Sequence, residues 1–366
     1  MQFEIDRDSL LRPLQAVIGV VERRQTLPIL GNVLLESTDG RLALTATDLE
    51  VELRAEVALE GGESGRATVP ARKLMDIVRN LPDDSQVQLA QEAEKIVVRA
   101  GRSRFSLATL PADDFPMVDA IEASQRVSVP QSQLRWLIEK THFAMALQDV
   151  RYYLNGLLLE LEPQHLRGVA TDGHRLALAE LSPPLAIDEP MQVIVPRKGV
   201  QEMLRLLDSS EDPVELVLGT GHVQVSLPDI RFTSKLIDGR FPDYQRVIPA
   251  EEGPHAVVDR ETLRKALVRA SILSNEKYRG VRFGFAADQL RIQSNNPEQE
   301  EAEEEIPASF DGEPVEIGFN ASYMLDALAA IDEPTVHIHV RDGSSSALVL
   351  GEKGRDARYV VMPMRL

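Results

Sequence analysis

Apolar positions along this chain switch between two periods, and they do so in the same order three times. Residues 2–6 alternate apolar and charged side chains, as a half-buried strand does. Leu10, Leu11, Leu14, Val17, Ile18 and Val21 then fall at helical spacing behind Asp8 and Ser9, which predicts a helix with its N-cap. A second stripe, Leu134, Leu137, Ile138 and Phe143, follows Pro130-Gln131-Ser132, and a third, Leu263, Leu267 and Ile272, follows Asp259. Each stripe gives way to a predicted strand, at 30–36, 154–160 and 278–283. A further short helix is predicted over 71–81, 197–207 and 321–331, among alternating runs such as 42–45, 86–89, 96–99 and 336–340. Two helices on a strand-rich layer make an α+β domain.

Short motifs recur on the same schedule. Thr45-Ala46-Thr47-Asp48-Leu49-Glu50 returns as Val169-Ala170-Thr171-Asp172-Gly173-His174, and Val69-Pro70-Ala71-Arg72-Lys73 as Val195-Pro196-Arg197-Lys198. Arg104-Phe105-Ser106 and Asp114-Phe115-Pro116 return as Arg231-Phe232-Thr233 and Arg240-Phe241-Pro242. The offsets barely drift: 172−48=124, 196−70=126 and 242−116=126. A fainter third copy carries Asn295-Asn296-Pro297 and Val361-Met362-Pro363. Such a period predicts three tandem domains of about 120 residues, with boundaries at 1–125, 126–253 and 254–366.

Composition narrows the function. The 366 residues are 43% hydrophobic, enough for each third to bury a core, and the absence of cysteine excludes disulfides and thiolate chemistry. No apolar run of about 18 residues is present, so no membrane span is predicted. The N-terminus lacks the basic-then-apolar order of a signal peptide, and a cytoplasmic location is expected. A net charge of −18 opposes a surface wholly devoted to nucleic acid, but leaves room for a local basic one.

Catalytic and metal chemistry finds little support. Asp172 and His174 could form a metal or acid–base pair, but the first repeat has Glu50 where the second has His174, so the Thr-Asp unit reads as a turn. His337 and His339 share a strand face without a third ligand in view. Gly219-Thr220-Gly221 lacks the Lys-Ser/Thr of a phosphate loop and predicts a hairpin turn. The acidic run 298–305 has no counterpart in the other repeats, which suggests a partner-facing patch. No catalytic residue, metal or cofactor is therefore assigned.

Basic residues concentrate on the predicted helices: Arg12, Arg72, Lys73 and Arg79 in the first repeat, Arg135, Lys140, Lys198 and Arg205 in the second, and Arg264, Lys265 and Arg269 in the third. On one helix this is an ordinary solvated face. Repeated on homologous helices of an acidic chain, it suggests a lining for phosphate backbones, read without regard to base sequence.

The chain resembles the bacterial DNA polymerase III β subunit family, the sliding clamps, from end to end. The segments that carry the likeness include Arg24-Gln25-Thr26-Leu27-Pro28, Thr68-Val69-Pro70-Ala71-Arg72-Lys73, Gln148-Asp149-Val150-Arg151-Tyr152-Tyr153-Leu154-Asn155-Gly156, Ala170-Thr171-Asp172-Gly173-His174-Arg175-Leu176 and Tyr359-Val360-Val361-Met362-Pro363-Met364-Arg365-Leu366. The resemblance implies three tandem clamp folds per chain, a homodimeric six-domain ring around double-stranded DNA, processivity for the replicative polymerase, and no catalysis. It implies DNA contacts at Arg24, Arg72, Lys73, Arg79, Gln148, Tyr152, Tyr153, Lys198, Tyr278 and Arg279. A partner-peptide cleft would use Leu154, Thr171, Gly173, His174, Arg175, Leu176, Pro242, Arg246, Val247, Ser346, Val360, Met362, Pro363 and Met364. The dimer interface would set Lys73, Arg102, Arg104, Phe105 and Leu107 against Ile272, Leu273, Glu300, Glu301, Glu303 and Glu304. Implied partners are the clamp loader complex, the polymerase α subunit, other DNA polymerases, mismatch-repair proteins and ligase. Two rival readings stay open at this point: a monomeric peptide-binding scaffold without ring closure, and a metal-assisted hydrolase built on Asp172, His174 and the acidic run.

Overall fold

The structure, a computed structural model, describes residues 1–366 apart from 22–26, 39, 119–120, 183–184, 186, 188, 353–355 and 366. Its helices are α1 (Arg7–Val17), α2 (Ala71–Asn80), α3 (Gln131–Glu139), α4 (Arg197–Leu206), α5 (Arg260–Ser271) and α6 (Ala321–Ala330). Caps explain where they start. The Asp6 carboxylate accepts from the backbone N–H groups of Asp8 and Ser9, so α1 begins two residues ahead of the predicted cap. Asp259 caps α5 through the N–H of Thr262, as its position predicts. The stripe behind α3 outruns the helix, because Phe143 falls in a 3-10 turn at His142–Ala144.

Contacts divide the chain into two compact units, 1–132 with 198–236 and 133–197 with 237–366. The first unit holds an antiparallel sheet ordered β1 (Gln2–Asp6), β6 (Gln86–Glu92), β7 (Lys95–Ala100), β8 (Ser103–Ala108). Its larger sheet runs β5 (Gly65–Pro70), β2 (Asn32–Thr38), β3 (Arg41–Thr47), β4 (Val51–Ala58), β16 (Ile230–Lys235), β15 (His222–Ser226), β14 (Pro213–Leu218), β9 (Gln125–Pro130). The second unit repeats the plan. One sheet runs β13 (Met191–Pro196), β10 (Gly156–Glu162), β11 (His165–Thr171), β12 (Arg175–Leu181), β25 (Ala357–Val361), β24 (Ala347–Gly351), β23 (Thr335–His339), β17 (His255–Asp259), β21 (Ser309–Phe310). The other runs β20 (Glu301–Pro307), β19 (Gln289–Asn295), β18 (Gly280–Ala286), β22 (Val315–Asn320).

Each large sheet is thus stitched from two repeats, β4 to β16 in one unit and β12 to β25 in the other. The leading strands β2, β10 and β18 each begin two residues later than their apolar runs, at Asn32, Gly156 and Gly280. In the first two repeats the skipped residues wind into 3-10 turns at Pro28–Gly31 and Tyr152–Leu154. Gly219-Thr220-Gly221 joins the antiparallel pair β14 and β15, the expected hairpin.

Buried side chains follow the helical stripes. Leu10, Leu14 and Val17 of α1 and Leu263 and Leu267 of α5 are fully buried, each contributing about 1.5–3 kcal/mol. Arg7 donates to the carbonyls of Val78 and Arg79 at the end of α2, and Arg260 donates to that of Ile331 at the end of α6. In two repeats, then, the first helix closes the open carbonyl end of the second.

The Thr-Asp unit is a turn, and the two copies share the bonds that close it. Thr47 Oγ1 donates to the Val51 carbonyl while the Asp48 carboxylate accepts from the N–H groups of Glu50 and Val51. Thr171 donates to the Arg175 carbonyl, and Asp172 accepts from His174 and Arg175. The residue after each Asp takes positive φ: 87° at Gly173, where it is unstrained, and 78° at Leu49, where a side chain costs about 1–2 kcal/mol. In the third repeat the Asn296 side chain accepts from the N–H of Glu300, one residue further along.

Candidate functional site

In the second unit the turn at 171–175 meets the chain's last strand. Arg175 faces Val361 and Leu176 faces Val360 across the β12–β25 ladder, and the Met362 N–H donates to the His174 carbonyl at 2.9 Å. The Met364 N–H donates to the Gly318 carbonyl at 2.9 Å, so the segment carrying Met362, Pro363 and Met364 is tied down at both ends. Ser346 Oγ donates to Met362 Sδ at 3.1 Å. Leu154, Leu176 and Val360 are buried in an apolar floor with Leu158, Leu178, Phe241 and Tyr244. Pro242, Arg246 and Val247 stand exposed after that floor. Arg246, Val247, Ser346 and Met362 line one cavity of about 640 Å³, a size suited to a few peptide side chains.

Two polar clusters hold this cleft in shape. The Arg175 guanidinium pairs with Asp172 at 3.1 Å and with Asp326, donates to the Phe143 carbonyl at 2.9 Å, and lies 4.5 Å from the centre of the Tyr323 ring. His174 stacks on the same Tyr323 ring, with centroids 6.4 Å apart. Burial pushes the Tyr323 hydroxyl pKa up. Asp172 is fully engaged as a turn acceptor and an Arg175 partner, which leaves it no role as a base. Beneath the 3-10 turn Tyr244–Val247, the buried Glu160 carboxylate accepts from Tyr244 Oη, from Gln192 and from Arg167 at 3.0 Å. Burial, with the Glu160 carboxylate beside it, pushes the Tyr244 hydroxyl up to about 12.

The proposed DNA contacts fall on both units. In the first, Arg72, Lys73 and Arg79 are exposed on α2, with Arg72 donating to the Val21 carbonyl and Arg79 paired with Asp76. Lys198 pairs with Asp48 of the Thr-Asp turn. Arg24 lies outside the described residues. In the second, Gln148 and Arg279 hold positive φ angles of 56° and 49°, a strain that clusters at functional positions. Tyr152 and Tyr153 meet edge to face at 5.8 Å; Tyr153 packs on the apolar floor and Tyr152 is exposed. Tyr278 is exposed with Lys277 Nζ over its ring at 5.1 Å. Much helical positive charge is neutralised locally, by Arg135–Glu139, Arg264–Glu261 and Arg269–Glu304 pairs. The net positive charge of these helices is smaller than a count of their basic residues suggests.

Two of the sheet edges, one in each unit, carry side chains of opposite charge. β8, on the edge of the first unit's smaller sheet, carries Arg104, Phe105 and Leu107, with Arg102 in the turn before it. β20, on the edge of the second unit's smaller sheet, turns Glu301, Glu303 and Glu305 to solvent. Glu304 points the other way, to Arg269 of α5, whose hydrogen bond, and then its charge, lower the Glu304 pKa. Glu300 sits in the turn before β20, and after α5 Leu273 is half-buried while Ile272 is 72% exposed.

Comparison with known proteins decides what this arrangement is. Three family models of the DNA polymerase III beta subunit match in succession: the N-terminal domain at residues 1–119, the central domain at 128–243 and the C-terminal domain at 245–365. The chain belongs to the DNA polymerase III β-subunit family. The beta sliding clamp of Pseudomonas putida is 55% identical over 367 residues, covering 100% of both chains. A crystal structure of the DNA polymerase III subunit beta from Pseudomonas aeruginosa superposes with a TM-score of 0.98 at 54% identity, again over 100% of both chains. A second Pseudomonas aeruginosa clamp structure, bound to griselimycin, superposes at 0.97 with 54% identity and the same full coverage. Family membership makes the chain a sliding clamp of three tandem clamp domains, a non-catalytic processivity subunit.

For a sliding clamp the remaining clusters are structural. His255 joins His337 and His339, its ring stacked on theirs at 5.4 and 5.0 Å, a neighbour that sequence spacing did not reveal. No group of three His, Cys, Asp or Glu side chains among the described residues is arranged to hold a metal ion. Trp136 of α3 is half-buried and lines a cavity with Lys140 and Tyr359. Sequence pattern does not mark Tyr323 and Asp326, or Phe143 beyond its place in the apolar stripe, as braces of Arg175, nor does it mark Leu147 and Val150, exposed at 76% and 95% on either side of Gln148. Two large apolar residues within four positions of a polar loop were the available signal.

No helix among the described residues is long and apolar enough to cross a membrane.

Proposed function

We propose that two copies of this chain close head to tail into a ring that encircles duplex DNA and slides on it. The observation that carries the reading is the pair of open edges of opposite charge, Arg102 and Arg104 at β8 and Glu301 and Glu303 on β20, in a member of the clamp family. Edge strands recruit partners, and a heterologous joint that closes after two copies gives a ring. Ile272 and Leu273 would supply the apolar part of the seam, with Phe105, Leu107, Lys73, Glu300 and Glu304 around it. Retention then comes from topology, so contacts at Arg24, Arg72, Lys73, Arg79, Gln148, Tyr152, Tyr153, Lys198, Tyr278 and Arg279 need only be weak, sequence-blind and salt-screened. The acidic remainder of the surface repels DNA elsewhere.

The cleft at His174, Val247, Ser346 and Met362 is proposed to receive peptide segments of the polymerase α subunit, the clamp loader, other polymerases, mismatch-repair proteins and ligase in the cytoplasm. Flexible, polarizable Met362 and Met364 beside the apolar floor suit several related peptides. The domains are proposed to span 1–125, 126–253 and 254–366. The test is to load the protein onto a nicked circular plasmid with a clamp loader and ATP, then wash at high salt. Persistence on circles with release on linearisation supports the ring; loss from both refutes it.

A further inference from the structure

The joint between β4 and β16 repeats the joint between β12 and β25. Val51 faces Ser234 where Arg175 faces Val361, so Lys235 stands at the position of Met362. One strand further, His222 faces Lys235 as Ser346 sits beside Met362. The repeat offsets carry Thr171, Gly173, Pro242 and Val247 onto Thr47, Leu49, Pro116 and Ile121. These six residues of the first unit, Thr47, Leu49, Pro116, Ile121, His222 and Lys235, line a single cavity of about 530 Å³. We propose that this cavity is a second peptide groove, and that it takes an extended segment bearing aliphatic side chains and one basic residue.

Three features beyond the register support a built groove. Leu49 holds its strained backbone with its side chain 40% exposed, where the second repeat has an unstrained glycine. Met117, also 40% exposed, lines the same cavity, so the groove offers large apolar contacts to an occupant. The buried Glu52 carboxylate accepts from the Val118 N–H at 2.8 Å, which fixes the wall that carries Pro116 and Met117.

Charge selects the occupant. Glu122 lines the groove where the second unit has Ile248, and Glu50, 3.4 Å from Lys235, stands where it has His174. Two carboxylates thus face one lysine. The second unit's cavity carries Arg246, itself paired with Asp243 at 2.6 Å, and Arg341 against Glu252. The first groove is therefore the more acidic of the two and calls for the more basic peptide.

Resting as it does on the reading of the Met362 cavity as a peptide cleft, the idea is tested so that the two can fail separately. The full-length protein is titrated, by fluorescence anisotropy, with labelled Ser-Leu-Lys-Leu-Leu and Ser-Leu-Asp-Leu-Leu. Leu49→Gly removes an apolar contact and relieves the backbone, so it should melt no lower than the parent while weakening the Lys peptide at least about tenfold. Glu122→Lys should shift preference from the Lys peptide towards the Asp peptide. Met362→Ala should weaken the Asp peptide and leave the Lys peptide unchanged. Lys-peptide binding untouched by both Leu49→Gly and Glu122→Lys, or lost only in Met362→Ala, overturns the second groove. Asp-peptide binding untouched by Met362→Ala overturns the reading of the second-unit cleft, while the Leu49 and Glu122 results still stand for the first.

Discussion

Replacing Tyr244 by phenylalanine removes one oxygen atom from a buried charged network and nothing else. Its hydroxyl donates to the Glu160 carboxylate, and both residues are about 5% exposed. Glu160 keeps Arg167 and Gln192, so no charge is stranded. What is lost is the bond to the ionised Glu160, about 1.5–3 kcal/mol, together with the longer 3.2 Å bond that the Arg167 guanidinium donates to the same hydroxyl and shares with Glu160. At about 2–4 °C per kcal/mol, that lowers the melting temperature by about 3–12 °C. The chain has a single tryptophan, Trp136, and it lies in the same unit, so its fluorescence follows this unit's unfolding. Peptide affinity at the cleft should fall as well, because Tyr244 anchors the turn that presents Arg246 and Val247. A harsher change separates hydrogen bonding from charge: Arg167→Met leaves Glu160 buried without its cation and should cost about 3–5 kcal/mol. Adding Glu160→Gln to it should restore part of that loss. A Tyr244→Phe protein that melts within 1 °C of the parent would refute the assignment of Tyr244 as an energetic anchor.

Ile272→Ala combined with Leu273→Ala should yield monomers by sedimentation, since the seam loses its apolar centre; a mass that stays dimeric refutes that seam. Removing residues 362–366 should abolish stimulation of the polymerase while the melting temperature and dimer mass persist, and retained stimulation removes the cleft assignment. Burial, and then the His255 charge, lower the pKa values of His337 and His339 from 6.5. Below about pH 6.5 the unfolded chain takes up protons that the folded chain resists, so stability should fall as the pH drops from there and level off below the folded values. Chemical unfolding between about pH 7 and 5.5 checks the sign, and His337→Gln should make the slope shallower; an unchanged slope refutes the contribution of His337.

The repeat schedule was legible because turns and caps are local. Thr47-Asp48 and Thr171-Asp172 close their bonds within four residues, and Asp259 caps a helix three residues on. What stayed hidden was carried by partners far apart in sequence. Nothing near Glu160 announces Tyr244, and nothing near His337 announces His255. Arg175 reads from sequence as a cleft residue free to meet a ligand, yet Asp326 and Phe143 already hold it. The charge of the basic helices is visible in the sequence, while the pairing of Arg135, Arg264 and Arg269 with Glu139, Glu261 and Glu304 is seen only in the fold. The stitching of repeats through β16 and β25 is likewise a long-range pairing that periodicity cannot supply.

That stitching bears on how such a chain can be cut. A first repeat produced alone would end its larger sheet at β4, and a second alone would present β12 at one end and β16 at the other, each a row of unsatisfied backbone groups. Isolated thirds should therefore cling to one another or precipitate. Cuts that follow the two large sheets, and not the sequence repeats, are the ones that leave no raw strand behind.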